Sequence, residues 1–239
     1  MHAFQMITGS YTANLIVPAK MGEVVRVFWV DKNRSRYSPL LVVLFEKLWD
    51  ILAVYLILYI SLFFITGSDT KYSMLSSWLS LVNFIGILIF SGIFIYWRRK
   101  GFILKNRLSK RISALILFFI NHKKAIFQIA LLSIALWVIQ ILQFYFMFRV
   151  FGASLPVFMI FSGSSLAILA GAVIISIGGV GPRDASLIWF YSGFVSREIL
   201  VSVGIISIFR IIVPALIGLP FFLMLSLKRN YGKKSLEST

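Results

Sequence analysis

The chain has 239 residues, 59% hydrophobic and 16% aromatic, against the roughly 45 to 50% apolar usage of soluble domains. Its 24 Lys plus Arg and 8 Asp plus Glu give a formal charge of +16, but the cations cluster beside apolar runs rather than on a soluble face. That excludes a nucleic-acid binder and points to topology signals and phospholipid contacts. There is no cysteine, hence no disulfide, thiol nucleophile or thiolate metal site, which fits a reducing cytosolic side.

These bounds predict an all-α, polytopic integral membrane protein, with one domain over residues 1–227 and a basic cytoplasmic tail, 228–239. No alternating ten-residue pattern suggests a β-barrel. The first twenty residues have no basic n-region and no A-x-A-like site, so no cleaved signal peptide is expected. The first element is the short, polar-dotted "AFQMITGSYTANLIV", then "PAKMGE", then "VVRVFWV" before the basic loop Lys32 to Arg36. It reads as a hairpin entering from the cytoplasm, the plainer alternative being the remnant of a truncated helix.

Four segments are long enough to cross the bilayer: Leu48 to Thr66, Met74 to Trp97, Ala125 to Phe148 and Ile199 to Leu227. Between the second and third, Arg98 to Lys124 holds nine Lys or Arg and no acid. This segment and the tail therefore face the cytoplasm, and the amphipathic part from Gly101 is expected to lie along the headgroups or to serve only as a topological loop. The third crossing then ends outside, the fourth starts outside, and the chain between them must cross an even number of times. Leu155 to Val173 suits a helix, but Ala185 to Val195 spans only roughly 16 Å at 1.5 Å per residue. Leu155 to Val195 is thus expected to be a second re-entrant hairpin, entering from outside. Two broken hairpins, each followed by a crossing of opposite direction, raise an inverted-topology repeat of the kind transporters use to build a midplane site.

Both hairpin tips carry breakers and charges. In "IISIGGVGPRDASL", Gly178, Gly179 and Gly181 permit positive φ, Pro182 suits the first turn of a helix and Asp184 can cap it. Free N–H groups there, with Arg183, would form an anion site; the alternative is a capped helix start with Arg183 reaching the interface. In "NLIVPAKMGEVVR", Pro18 and Gly22 break the helix, Glu23 sits near the positive end of the next one, and Arg26 follows one turn on, either as a site or as a Glu23–Arg26 pair.

"FEKLWD" places Glu46 and Asp50 on one helix face at i and i+4, as ligand or proton sites or as interfacial anchors. Arg210 stands near the middle of the last crossing, where a charge is costly. Pro214 cannot donate to its carbonyl, and Gly204, Ser207, Pro214 and Gly218 make a small-residue stripe suited to close approach of a neighbour.

"NLIVPAKMGEVVRV", "FEKLWD" and "SIGGVGPRDASL" together resemble the flippase-like membrane region of lysylphosphatidylglycerol synthases and their stand-alone relatives, in order and approximate spacing over nearly the whole chain. The resemblance implies movement of charged or glycosylated lipids between leaflets. Its motifs carry over Asn14, Pro18, Gly22, Glu23 and Arg26, then Glu46 and Asp50, then Ser176, Gly178, Gly179, Gly181, Arg183 and Asp184. The chain departs from the family pattern at Ile174 (usually proline), Asp184 (usually glutamate) and Lys47 (commonly arginine). Members usually carry about two further crossings before the asparagine–proline motif, so this chain is expected to be an N-terminally short member.

The expected function is a lipid translocase-like protein of the cytoplasmic membrane, multi-pass, binding membrane phospholipids and needing no cofactor or metal. The alternative is a membrane module that docks a separate lipid-modifying enzyme or glycosyltransferase. An enzyme is not expected, because no nucleotide loop, metal-ligand cluster or aminoacyl-transfer domain is visible.

Overall fold

The computed structural model describes residues 2–16, 22–29, 39–65, 72–83, 85–86, 123–172 and 179–237. Among these there are helices and no strands: α1 His2–Ile16, α2 Gly22–Trp29, α3 Pro39–Phe63, α4 over residues 72–83, α5 Lys123–Val150, α6 Val157–Gly171, α7 Pro182–Tyr191 and α8 Arg197–Glu237. The expected interfacial helix from Gly101 and the second half of the Met74 to Trp97 crossing lie outside the described residues.

α1 is built inside out relative to a soluble helix. Phe4, Ile7, Tyr11 and Leu15, spaced three and four apart on one face, are exposed, while Thr8, Ser10, Thr12 and Asn14 are buried. The hydroxyls of its buried face are satisfied without water: Thr8 Oγ1 donates to the Phe4 carbonyl at 2.8 Å, Ser10 Oγ to the Ile7 carbonyl at 2.6 Å and Thr12 Oγ1 to the Ala215 carbonyl of α8 at 2.6 Å. α5 likewise turns Phe127, Leu131, Leu132, Leu136 and Phe146 outward. Exposed apolar surface on this scale suits hydrocarbon rather than water. Two helices among the described residues are long and apolar enough to cross a membrane, over Ile126–Val150 and Arg197–Met224.

Several boundaries differ from the sequence expectation. α3 begins at Pro39, nine residues before the predicted Leu48, because Glu46, Lys47 and Asp50 interrupt the hydropathy without interrupting the helix. α8 continues through the basic tail to Glu237. The stretch expected to be the second hairpin, Leu155 to Val195, does hold two short helices, the later one starting three residues before the expected Ala185. α6 ends at Gly171, and α7 begins at Pro182 after Gly181, whose φ is 99°.

The packing is reciprocal. α1 lies against α8 and α6 against α3, so each short helix is held by the long helix of the other half; α1 also packs on α2, and α6 on α7. α1 runs antiparallel to α8, with Phe4 against Phe221 and Thr12 against Ala215. α6 runs antiparallel to α3, with Phe158 stacked on Phe64 and Ser162 Oγ donating to Ser61 Oγ at 2.9 Å. An apolar cluster of Leu58, Leu62, Tyr72, Phe148, Phe190, Tyr191 and Leu200 gathers the C-terminal end of α3 and the N-terminal end of α8. α3 and α8 are therefore antiparallel, and α1 and α6 approach the middle from opposite ends.

The small-residue stripe is where neighbours come close. A Cβ on Gly218 would collide with the Thr8 carbonyl of α1, and one on Gly204 would lie 3.0 Å from Asp184 Oδ1. A Cβ on Gly22 would likewise collide with the Asn14 backbone, which brings the start of α2 against α1.

Candidate functional site

The C-terminal ends of α1 and α6 meet at a cavity of about 350 Å³. α1 brings Ser10, Tyr11 and Asn14 to its wall, and α3 brings Glu46, Lys47 and Asp50. Glu46 and Asp50 reach the same cavity because a four-residue step returns to the same helix face. α5 adds Trp137 and Gln140, α6 ends there at Gly171, and the arginines are Arg183 from α7 and Arg210 from α8.

The carboxylate wall is organised by Asp50. Its Oδ1 accepts from Ser133 Oγ at 2.7 Å and from Trp137 Nε1 at 3.2 Å, both on α5, while Oδ2 faces Lys47 Nζ at 3.4 Å. Two donors from α5 and one from its own helix thus surround the carboxyl group.

Arg210 has a different environment. Its Nη1 donates to Gln140 Oε1 at 3.1 Å, and the guanidinium lies 5.7 Å from the centroid of the Phe144 ring. An amide oxygen and an aromatic face orient a guanidinium without neutralising it.

Arg183 is 2% exposed. Its Nε donates to Asp184 Oδ1 at 2.8 Å and its Nη2 to the Gly204 carbonyl at 3.0 Å, which fixes the side chain between α7 and α8. Its Nη1 is buried with no partner, and so is Asn14 Oδ1 across the two hairpins. A buried polar atom left unpaired costs about 1 to 3 kcal/mol, more when charged, and Asn14 Oδ1 lies against Gly22 of α2.

Of the residues expected from sequence, Asn14, Glu46, Asp50, Arg183 and Arg210 line this one cavity. Asp184 stands behind Arg183 as its ion-pair partner, not on the wall. Gly179, with φ of 79°, packs against the Gly171 carbonyl, and Gly181 supplies the turn before Pro182. The expected interfacial alternative for Arg183 is thereby corrected, since the side chain is buried. Glu23 and Arg26 fall on α2, but their side chains lie outside the described residues, as do Ser176, Gly178, Pro18 and Ile174.

Sequence reasoning did not find Tyr11, Trp137, Gln140 or the pairing of Lys47 with Asp50. Gln140 did leave a signal: a lone amide within "IALWVIQIL" has no reason to sit in hydrocarbon unless something polar faces it.

The family model described as the lysylphosphatidylglycerol synthase TM region matches residues 1–218. The chain belongs to this family. No curated protein and no solved structure matches it significantly. Family membership and the apolar helices together make it a membrane-associated protein with a lipid-related role. Within the lysylphosphatidylglycerol synthase TM-region family match fall all the cavity residues, from Ile7 to Ile211.

Proposed function

We propose that this member of the family is a lipid translocase-like protein of the cytoplasmic membrane, moving a phospholipid or lipid-linked group with a charged or glycosylated headgroup between leaflets. The observation that carries the reading is the convergence of two half-length helices, α1 and α6, from opposite ends of the bundle onto a charged cavity. Irregular backbone at membrane depth is tolerated where protein buries it or it lines a polar cavity, and opposed half-helices are how inverted-repeat transporters build a midplane site. On this reading about four segments cross fully, the two hairpins are re-entrant, and Arg98 to Lys124 faces the cytoplasm.

The residues have separable tasks. Arg210 and Arg183 hold the phosphate, Asp50 and Glu46 supply negative charge for a cationic headgroup or a coupling ion, and Gln140 aims Arg210. The chain itself performs no covalent chemistry.

The test is a reconstituted vesicle assay that follows a headgroup-labelled anionic phospholipid by leaflet-selective quenching. Wild type is expected to move it, Arg210→Gln to insert normally and lose movement, and Arg210→Lys to retain part, because charge remains without the bidentate fork. Equal rates for wild type and Arg210→Gln remove Arg210 from the site. An inactive wild type favours the docking-module reading, in which a separate lipid-modifying enzyme or glycosyltransferase binds this chain.

A further inference from the structure

The apolar core does not run through the whole bundle. Among the described residues, the buried cluster draws on α3 from Val54 onward, on Tyr72 of α4, on the second half of α5, on α6 and α7, and on the start of α8, where it ends at Val203. No side chain of α1 or α2 belongs to it or packs against it. α1 is held instead on a later part of α8: Thr12 bonds the Ala215 carbonyl, Thr8 meets Gly218 and Phe4 meets Phe221. α7 is held on the early part, at Gly204, through Arg183 and Asp184. Between these two docking patches stands Pro214, which has no N–H to give the Arg210 carbonyl, so α8 lacks a backbone hydrogen bond there.

We infer that α8 is hinged at Pro214, and that α1 and the part of α8 after the proline swing as one unit against the apolar core, with α1 as the moving wall of the cavity. A missing bond at proline is among the few identifiable causes of a helix bend. The charged groups of the cavity belong to the fixed side. Asp50 is bound to α5 through Ser133 and Trp137, Arg210 to α5 through Gln140, and Arg183 to Asp184 and the Gly204 carbonyl. Ser10, Tyr11 and Asn14 face them from α1. α2, which packs on both α1 and α3, bridges the two sides. Pro220 lacks the same opportunity, because α1 lies along α8 from Ala215 to Phe221 and splints the helix across it. The inference rests on the translocase reading only for the use of the motion, which changes access to a cavity whose charges stay in place.

Distances between pairs of spin labels, read by double electron–electron resonance on the full chain in lipid nanodiscs, test the hinge. The chain has no cysteine, so introduced ones are labelled alone. Leu131→Cys on α5 with Leu223→Cys on α8 reports across the hinge, and Phe63→Cys with Val150→Cys reports within the core; all four positions are exposed. Leu223 lies about 13 Å beyond Pro214 at 1.5 Å per residue, so a change of bend of about 20° moves its label by about 5 Å. The distribution across the hinge is expected to be broad or two-peaked in wild type and to narrow in Pro214→Ala, which restores the bond to the Arg210 carbonyl. The core pair is expected to stay as it was, which reports that the variant is folded; Pro214→Leu repeats the reading with a larger side chain should alanine loosen the packing. Lipid movement in vesicles is expected to fall about five- to tenfold in Pro214→Ala, the scale on which one backbone hydrogen bond biases a two-state equilibrium. Pro220→Ala is expected to leave the distances and the rate as in wild type. Distances across the hinge that Pro214→Ala does not change, an unchanged rate of movement in that variant, or an equal effect of Pro220→Ala overturns the inference. A wild type that moves no lipid while its distances respond as expected removes the translocase reading and keeps the hinge, whereas movement with distances indifferent to Pro214→Ala does the reverse.

Discussion

Replacing Gly218 by alanine adds one carbon where α1 crosses α8. That Cβ would collide with the Thr8 carbonyl oxygen, stand 2.5 Å from the Thr8 carbonyl carbon and 2.8 Å from Thr12 Oγ1. Non-bonded carbon contacts are comfortable at about 3.5 to 4.0 Å, so α1 has to retreat by roughly 1 Å. The obstacle is backbone, which no rotamer change relieves. A retreat of that size stretches the 2.6 Å hydrogen bond from Thr12 Oγ1 to the Ala215 carbonyl beyond useful range. Overpacking costs about 1 to 3 kcal/mol and the lost bond about 1, against a gain of up to about 1 from replacing glycine by alanine in a helix. The net destabilisation is about 1 to 3 kcal/mol, or a Tm lower by about 4 to 8 °C at its middle value. Thermal unfolding of the detergent-solubilised protein measures it, with Gly86→Ala as the control because a Cβ there meets nothing within 4 Å. Tyr11 and Asn14 ride on the displaced helix, so binding to the cavity falls as well. A Gly218→Ala protein melting with or above wild type refutes the close crossing.

Asp50→Asn keeps an acceptor for Ser133 and Trp137 but takes the counter-charge from Lys47. Thermal unfolding is expected to change by no more than about 1 kcal/mol, as for a partly exposed pair, while lipid movement in vesicles is lost. Gly179→Ala forces a side chain into φ of 79° against the Gly171 carbonyl; the expected cost is about 1 to 3 kcal/mol, read as a lower Tm together with loss of lipid movement. Single cysteines at Ser68 and Ser154 are expected to react with an impermeant thiol reagent on intact cells, while those at Ser109 and Ser235 are protected. Reaction at Ser109 but not at Ser154 reverses the topology.

What could be read from the sequence followed from how each feature is encoded. The second hairpin was legible because breakers are local: Gly181 and Pro182 set the start of α7 whatever surrounds them. The start of α3 was not, because a hydropathy run ends at charges and a helix does not. Those same charges, Glu46 and Asp50, proved to be cavity residues. Arg210 was visible as a cation with no local reason for its position, but its partner Gln140 lies 70 residues away, a pairing only the tertiary packing reveals. Arg183 was found for its place in the glycine-rich turn, yet its anchoring by the Gly204 carbonyl depends on how α7 lies across α8.

The reciprocal packing also sets an order of assembly. α1 is made well before its partner α8, and the hydrogen bond that joins them spans 203 positions in sequence. Until Ala215 and Gly218 have been synthesised and inserted, Thr8 and Thr12 of α1 lack the helix they pack on, although α2 is already there for Asn14. The local bonds of Thr8 and Ser10 to carbonyls of their own helix let it wait with those hydroxyls paired, leaving Thr12 to find its acceptor when the chain closes. Neither half is then a folding unit by itself, since each lends a short helix to the long helix of the other. Truncation within α8 should leave α1 as a stray segment for quality-control proteases.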